Sequence, residues 1–152
     1  NKRIKGLEVN PQNLIPIVME SAIGLRPKIE VYGSDYNTKD GTGVRDYIHV
    51  SDLARGHIDS IKYLLRESRN ITINLGTEFG YSVLDIINKT SEISKQKVLY
   101  DITGRRDGDS DKVIANTQLA KQLIGWEPKL SDLDTILNTT WEIYKERFSN
   151  CS

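Results

Sequence analysis

Guanidinium groups held in glycine-rich loops suit phosphoryl oxygens, and this sequence carries three of them. Arg45 ends a loop containing Gly41 and Gly43, directly before a β-like run. Arg105 and Arg106 share a second loop with Gly104, Gly108 and Asp109. The planar fork of an arginine can meet two oxygens of one phosphate at once, and forks from separate loops can clamp both ends of a diphosphate. A carboxylate beside such a clamp would be repelled by phosphate but suits ribose hydroxyls, which gives Asp109 that role. The plain alternative is a set of solvated ion pairs, Arg45 with Asp46 and Arg106 with Asp107 or Asp109. The arrangement alone leaves both open.

Other side chains say less. Tyr32, at a strand end, and Tyr47 could each stack on a nucleobase through a flat apolar face with a polar tip, or simply line a core or rim. The segment Ile71–Gly80 imitates a dinucleotide fingerprint, because a strand, glycines and a helix follow in order. It lacks the middle glycine of the Rossmann spacing, so its glycines are expected to serve tight turns. His49 and His57 have no partner at metal-ligand spacing and read as hydrogen-bonded structural histidines. With one cysteine, Cys151, and no serine elbow, nucleophilic catalysis has no support. No pair of carboxylates is singled out as acid and base.

The elements that must position these groups alternate between short β-like runs and helical periods, an α/β pattern. Asn13 is placed to cap a helix over Leu14–Ile23 that Gly24 closes. Strands are expected at Lys28–Tyr32, Asp46–Val50, Ile71–Leu75 and Lys97–Ile102. Ser34–Gly43 must be a loop. Ser51 is expected to cap a helix whose apolar stripe is Ala54, Ile58, Ile61 and Leu65. Ser82 and Asp85 form a capping box, with Tyr81 and Ile86 placed as a staple. Asn116 should cap a short helix burying Leu119 and Leu123 and stopping at Gly125. The last helix repeats the box with Ser131 and Asp134, and presents Leu133, Leu137, Thr140 and Tyr144.

Composition bounds the partners. Twenty-one basic residues balance 21 acidic ones over 152 residues. That balance gives no reason to expect nucleic acid, which needs a concentrated positive face. No apolar run approaches the roughly 20 residues that span a bilayer, so no membrane is expected. A lone terminal cysteine fits a reducing, cytoplasmic compartment. The polar, basic start without methionine suggests a fragment.

The run Asp40-Gly-Thr-Gly-Val-Arg-Asp-Tyr-Ile-His-Val-Ser-Asp-Leu-Ala-Arg-Gly-His57 resembles the UDP-galactose (UDP-glucose) 4-epimerases, extended short-chain dehydrogenases/reductases. The likeness continues in order through Asn13-Leu-Ile-Pro16, Val31-Tyr-Gly33, Asn74-Leu-Gly76, Tyr81-Ser-Val-Leu84, Gly104–Asp109 and Leu123-Ile-Gly-Trp126. It implies the C-terminal substrate-binding portion of such an enzyme, with residues 44–75 contributing to the edge of the nucleotide-binding sheet. It also implies roles. Asn13 and Leu14 match positions that meet the diphosphate and nucleotide, and Glu30 and Tyr32 match those that hold uracil. Arg45 and Arg106 match the pyrophosphate arginines, Asp109 the ribose carboxylate, and Val83 an apolar neighbour of the nucleotide. Val113 falls where a bulky tyrosine or a smaller residue sits beside the sugar, and valine leaves room for a 2-N-acetyl group.

The resemblance further implies that NAD, the Tyr-x-x-x-Lys pair and the associated serine or threonine belong to a preceding half absent from this sequence. There the tyrosine takes the 4-hydroxyl proton while NAD takes the C4 hydride, and the 4-keto sugar turns before hydride returns. This chain alone is therefore expected to be inactive. The partners implied are UDP-hexose, the N-terminal half and, for the complete protein, a second copy. A sugar-nucleotide dehydratase or decarboxylase, or a free-standing nucleotide-sugar-binding module, are the alternatives. The residues Lys2–Glu8 depart from the family pattern.

Overall fold

The computed structural model describes residue 7 and residues 10–148; the expectations for Lys2–Glu8, apart from Leu7, and for Cys151 fall outside the described residues. Helix α1, Leu14–Ala22, leads into strand β1, Ile29–Tyr32. Strand β2, Val44–Arg45, precedes the long helix α2, Val50–Glu67. Strand β3, Tyr81–Ser82, runs directly into α3, Val83–Ser94, and β4 follows at Tyr100–Thr103. Strand β5, Lys112–Val113, and helices α4, Gln118–Ile124, and α5, Leu133–Phe148, complete the chain.

Two small sheets carry the loops. β1 and β4 pair in parallel, Ile29 opposite Tyr100 and Tyr32 opposite Thr103. β2 is the centre of the second sheet, antiparallel to β3 and parallel to β5, with Arg45 opposite both Tyr81 and Val113. The main core lies where α1, α3 and α5 meet the inner face of β1. It is built from Val18 and Met19, Ile29 and Val31, Ile86 and Ile87, and Leu137, Trp141 and Tyr144. The alternation on β1 puts Ile29 and Val31 inside and leaves Glu30 exposed and Tyr32 half-buried on the other side. That is the period-2 rule of a half-buried strand. It is an α/β arrangement of small sheets flanked by helices, as the sequence predicts. Among the described residues no helix is long and apolar enough to cross a membrane.

Several boundaries differ from expectation. The strand predicted over Asp46–Val50 is two residues, Val44–Arg45, because the chain turns into α2 at Val50, and the carboxylate of Asp46 serves other segments. It accepts from Thr77 N, Glu78 N and Ala115 N at 3.0–3.3 Å and from the Thr77 hydroxyl at 2.6 Å. The α2 cap is His49 and not Ser51, its Nδ1 accepting from Ser51 N. Asn13 occupies the N-cap position of α1, but its side chain makes no capping bond. Thr117 takes the α4 cap position, while Asn116 accepts from Gln118 N. Ala120 is the residue that α4 buries, and Leu119 is exposed. At α5 the cap is Asp132, accepting from Thr135 N, because the Ser131 hydroxyl is committed to Asp52. The box of Ser82 and Asp85 forms as expected.

Two differences concern the sheet. Ile71–Leu75 shows the expected alternation, Ile71, Ile73 and Leu75 half-buried and Thr72 and Asn74 exposed, yet it joins no ladder among the described residues. Side-chain patterning needs only one packed face, whereas a strand needs a neighbour for its amides. The stripe read on α2 also faces outward, with Ile58 53%, Ile61 56% and Leu65 80% exposed. The helix buries the opposite set instead, Asp52, Gly56 and Tyr63. Gly56 makes that packing feasible, since a Cβ there would lie 2.8 Å from the Trp126 ring and 2.6 Å from Leu75.

Candidate functional site

A cleft of about 590 Å³ opens between the start of α1, the outer face of β1, the end of β2 and the loop after β4. Leu14, Glu30, Tyr32, Arg45, Val83, Arg106 and Asp109 all line it. Residues as far apart in sequence as 14 and 109 therefore converge on one concavity. Asn13 sits between two lining residues, Gln12 and Leu14, but is exposed and does not itself line the cleft. Val113 also lies outside the lining, one strand over from Arg45 and 52% exposed.

Each element delivers its group for a local reason. Arg45 is fixed by the β2 ladder and by its own fork, Nη1 donating to Val44 O at 2.9 Å and Ser110 O at 3.0 Å. Its Nη2 reaches Asp109 Oδ1 at 3.3 Å. The pair Arg45–Asp46 does not form, because Asp46 is turned to backbone amides. Arg106 pairs with neither Asp107 nor Asp109; its guanidinium carbon lies 3.7 Å from the Tyr32 ring centroid, a cation–π stack. The Tyr32 hydroxyl in turn donates to Glu30 Oε2 at 2.5 Å. So the surface ion-pair alternative describes two of the three arginines, each with a partner other than those expected: Arg45 with Asp109 and Arg105 with Asp35.

The loop feeding Arg45 is tightly built. Asp40 accepts from Thr42 N at 2.9 Å and the Thr42 hydroxyl at 2.8 Å, and from the Ser82 hydroxyl. Burial pushes the Asp40 carboxyl up, but these donors outweigh it and leave it below its ordinary value. Gly41 has φ +77°, and a Cβ there would lie 2.1 Å from Ser34 O, so only glycine fits this turn.

The sequence alone misses some of the lining. Arg26 and Lys28 stand at the rim, tied to Glu20 at 2.7 Å and to Asp101. Tyr36, an aromatic residue in an otherwise polar loop, is an anomaly that could have marked it as part of a wall. Tyr47 also lines the cleft, where burial pushes its phenol up to about 12 despite the pull of Arg45, so it remains a neutral hydroxyl.

The dinucleotide decoy is resolved in physical terms. The amides of Thr77 and Glu78, which a pyrophosphate would need, are already taken by the Asp46 carboxylate. Gly76 and Gly80 are not left-handed turns but close packings: added Cβ atoms would lie 2.5 Å from Asp46 and from Val44. The residues of this segment therefore do not fit NAD. Both histidines are hydrogen-bonded, His49 to Thr139 Oγ1 at 3.2 Å and His57 to Leu53 O at 2.8 Å. No cluster of potential metal ligands occurs among the described residues.

Comparison with known proteins gives the family of the chain. The family model described as GDP-mannose 4,6 dehydratase matches residues 3–140. The UDP-glucose 4-epimerase of Mus musculus is 45% identical over 136 residues, 90% of this chain and 39% of its own length. The solved UDP-glucose-4-epimerase of Stenotrophomonas maltophila, with bound NAD and formylated UDP-arabinopyranose, is 39% identical. It superposes with a TM-score of 0.88, covering 96% of this chain and 43% of that one. The UDP-Glc/GlcNAc 4-epimerase of Campylobacter jejuni is 34% identical, with a TM-score of 0.79 over 88% of this chain and 40% of that one. This chain thus spans 39% of the mouse relative's length. The chain belongs to the GDP-mannose 4,6 dehydratase family and, within the extended short-chain dehydrogenases/reductases, is homologous to the UDP-glucose 4-epimerases.

Proposed function

We propose that this chain is the UDP-hexose-binding part of an NAD-dependent 4-epimerase interconverting UDP-glucose and UDP-galactose. The observation that carries the proposal is that Arg45 and Arg106, from separate loops, line one cleft together with Tyr32 and Asp109. In this reading Arg45 and Arg106 take the diphosphate, and Asn13 and Leu14 meet it at the start of α1. Tyr32 and Glu30 receive the uracil, Asp109 the ribose and Val83 the nucleotide's apolar side. None of these groups touches the reacting carbon. Their work is to anchor the unreactive half of the substrate, so that binding energy is available while the hexose turns. NAD and the proton-transferring residues would belong to a part of the protein that this sequence does not include, and the chain alone would not epimerise.

Support for that larger protein comes from α2 and the segment after it. An outward apolar stripe and an alternating extended segment without a ladder are what one edge unit of a parallel sheet looks like without its sheet. We therefore assign residues 44–75 to the edge of the nucleotide-binding sheet. The amides of Ile71–Leu75 are expected to exchange slowly with solvent in the protein at its full natural length. Rapid exchange there would remove this assignment and favour a free-standing binding module.

Activity is tested by supplying UDP-galactose and NAD to the same protein and following UDP-glucose. Absence of product, with a 4-keto-6-deoxy sugar in its place, would move the protein to the dehydratases, and release of carbon dioxide from a UDP-hexuronic acid supplied in a parallel assay would move it to the decarboxylases. The same assay addresses Val113, whose small side chain leaves room beside the sugar for an N-acetyl group. Val113→Tyr should lower turnover of UDP-N-acetylgalactosamine by about tenfold more than that of UDP-galactose, about 1.4 kcal/mol. Equal losses would remove the steric explanation.

A further inference from the structure

Arg105 does not line the cleft, although it adjoins Arg106 in sequence. Its guanidinium is engaged elsewhere. Nε donates to Asp35 Oδ1 at 2.7 Å, Nη2 donates to the Asp35 carbonyl, and Nη1 lies 3.6 Å from Asp111 Oδ1. Its flat face covers the Tyr36 ring, 4.1 Å from the centroid. Tyr36 is 4% exposed, so the stack rests on a fixed floor. Glycine at position 33 leaves room for the stack: a Cβ there would lie 2.5 Å from the Tyr36 ring and 2.9 Å from Arg105 Cγ.

The far end of the loop that bears these arginines is tied to Arg45 through Asp109 and Ser110 O, and Arg105 ties its near end. Added Cβ atoms on Gly104 and Gly108 would meet nothing within 4 Å, and Gly108 has φ +82°. An exposed ion pair is ordinarily worth little. Here, though, one planar group joins a side-chain carboxylate, a backbone carbonyl and a buried ring, all on the Ser34–Gly43 side. That combination specifies direction as well as contact.

We propose that Arg105 is a positioning residue, which clasps the 104–109 loop to Asp35 and Tyr36 and thereby aims Arg106 into the cleft. This inference rests on the reading of the cleft as a nucleoside-diphosphate site. Consecutive arginines divide the labour: one holds the loop, the next faces the ligand. The two side chains lie over different rings, Arg105 over Tyr36 and Arg106 over Tyr32, so the clasp fixes the backbone from which Arg106 departs.

The test is calorimetric titration of UDP into the protein at its full natural length, with Arg105→Ala, Asp35→Ala, Arg106→Ala and the double variant Arg105→Ala/Arg106→Ala. Arg105→Ala and Asp35→Ala should each weaken UDP binding by roughly fivefold to tenfold, in the range of coupled neighbours. Arg106→Ala should weaken it more, and the double variant should match Arg106→Ala to within about twofold, because Arg105 acts through Arg106. In turnover, Arg105→Ala should raise KM for the sugar nucleotide and leave kcat unchanged. Losses that multiply in the double variant, an unchanged affinity in Arg105→Ala, or a fall in kcat would each overturn the positioning role. An unchanged affinity in Arg106→Ala is a different result: it removes the reading of the cleft itself.

Discussion

UDP binding is expected to weaken by about 2–3 kcal/mol when either Arg45 or Arg106 is replaced by alanine, the range for losing a charged hydrogen-bond partner. Replacing both should cost about 4 kcal/mol or more, close to a thousandfold in Kd. The two guanidiniums face one cleft that also contains the carboxylates of Glu30 and Asp109. Once both cations are gone, a diphosphate would meet those carboxylates with only the rim residues Arg26 and Lys28 left, and these already serve Glu20 and Asp101. Because both forks would hold a single ligand, the double variant should depart measurably from the sum of the singles, by 0.5 kcal/mol or more in a cycle at that range. Calorimetry at fixed salt gives all four affinities. If both single variants bind UDP as tightly as the parent, the clamp is wrong.

Asp52→Ala is expected to lower the unfolding free energy by about 3–5 kcal/mol, as expected when one member of a buried charged network is removed. Asp52 is fully buried near the start of α2. Its Oδ2 accepts from Lys129 N at 2.9 Å, Leu130 N at 2.7 Å and the Ser131 hydroxyl at 2.7 Å, while Oδ1 lies 3.0 Å from Arg55 Nη2. Burial alone would push this carboxyl up. The Ser131 hydroxyl, the two amides and Arg55 together reverse that and hold it below its ordinary value. Alanine would leave those donors unpaired inside the protein. The same carboxylate ties α2 to the segment before α5, and the Ser131 hydroxyl also receives His49 N at 2.9 Å. Denaturant unfolding at neutral pH would measure the loss, and a change under 1 kcal/mol would show that water replaces the missing acceptor.

The convergence of Arg45 and Arg106 on one cleft, on which the proposed clamp rests, was partly legible because its signal is local: glycines mark two loops, and each carries an arginine. The same holds for the Ser82–Asp85 box and for Ile29 and Val31 on β1, where period and cap lie within a few residues. What escaped was set by distant partners. Nothing near Asp46 announces that its carboxylate will take the amides of Thr77, Glu78 and Ala115. Ser131 looked like a cap for α5, but Asp52, far away in sequence, claims its hydroxyl. The spacing of Leu119 and of the α2 stripe is right for burial, yet both are exposed. Spacing defines a face, however, and says nothing about whether a neighbour lies against it. Tyr36 carries no such signal for the converse reason: a single aromatic residue in a loop has no period at all.

The stack of Arg106 on Tyr32 bears on the thermodynamics of recognition. A long cationic side chain waving in water must surrender its rotamers when it grips an anion, and each such surrender counts against affinity. A guanidinium already parked flat on an aromatic ring has given up most of that freedom in advance. Its docking onto phosphate would then exchange one ordered pose for another, and the entropic toll of capture would be light.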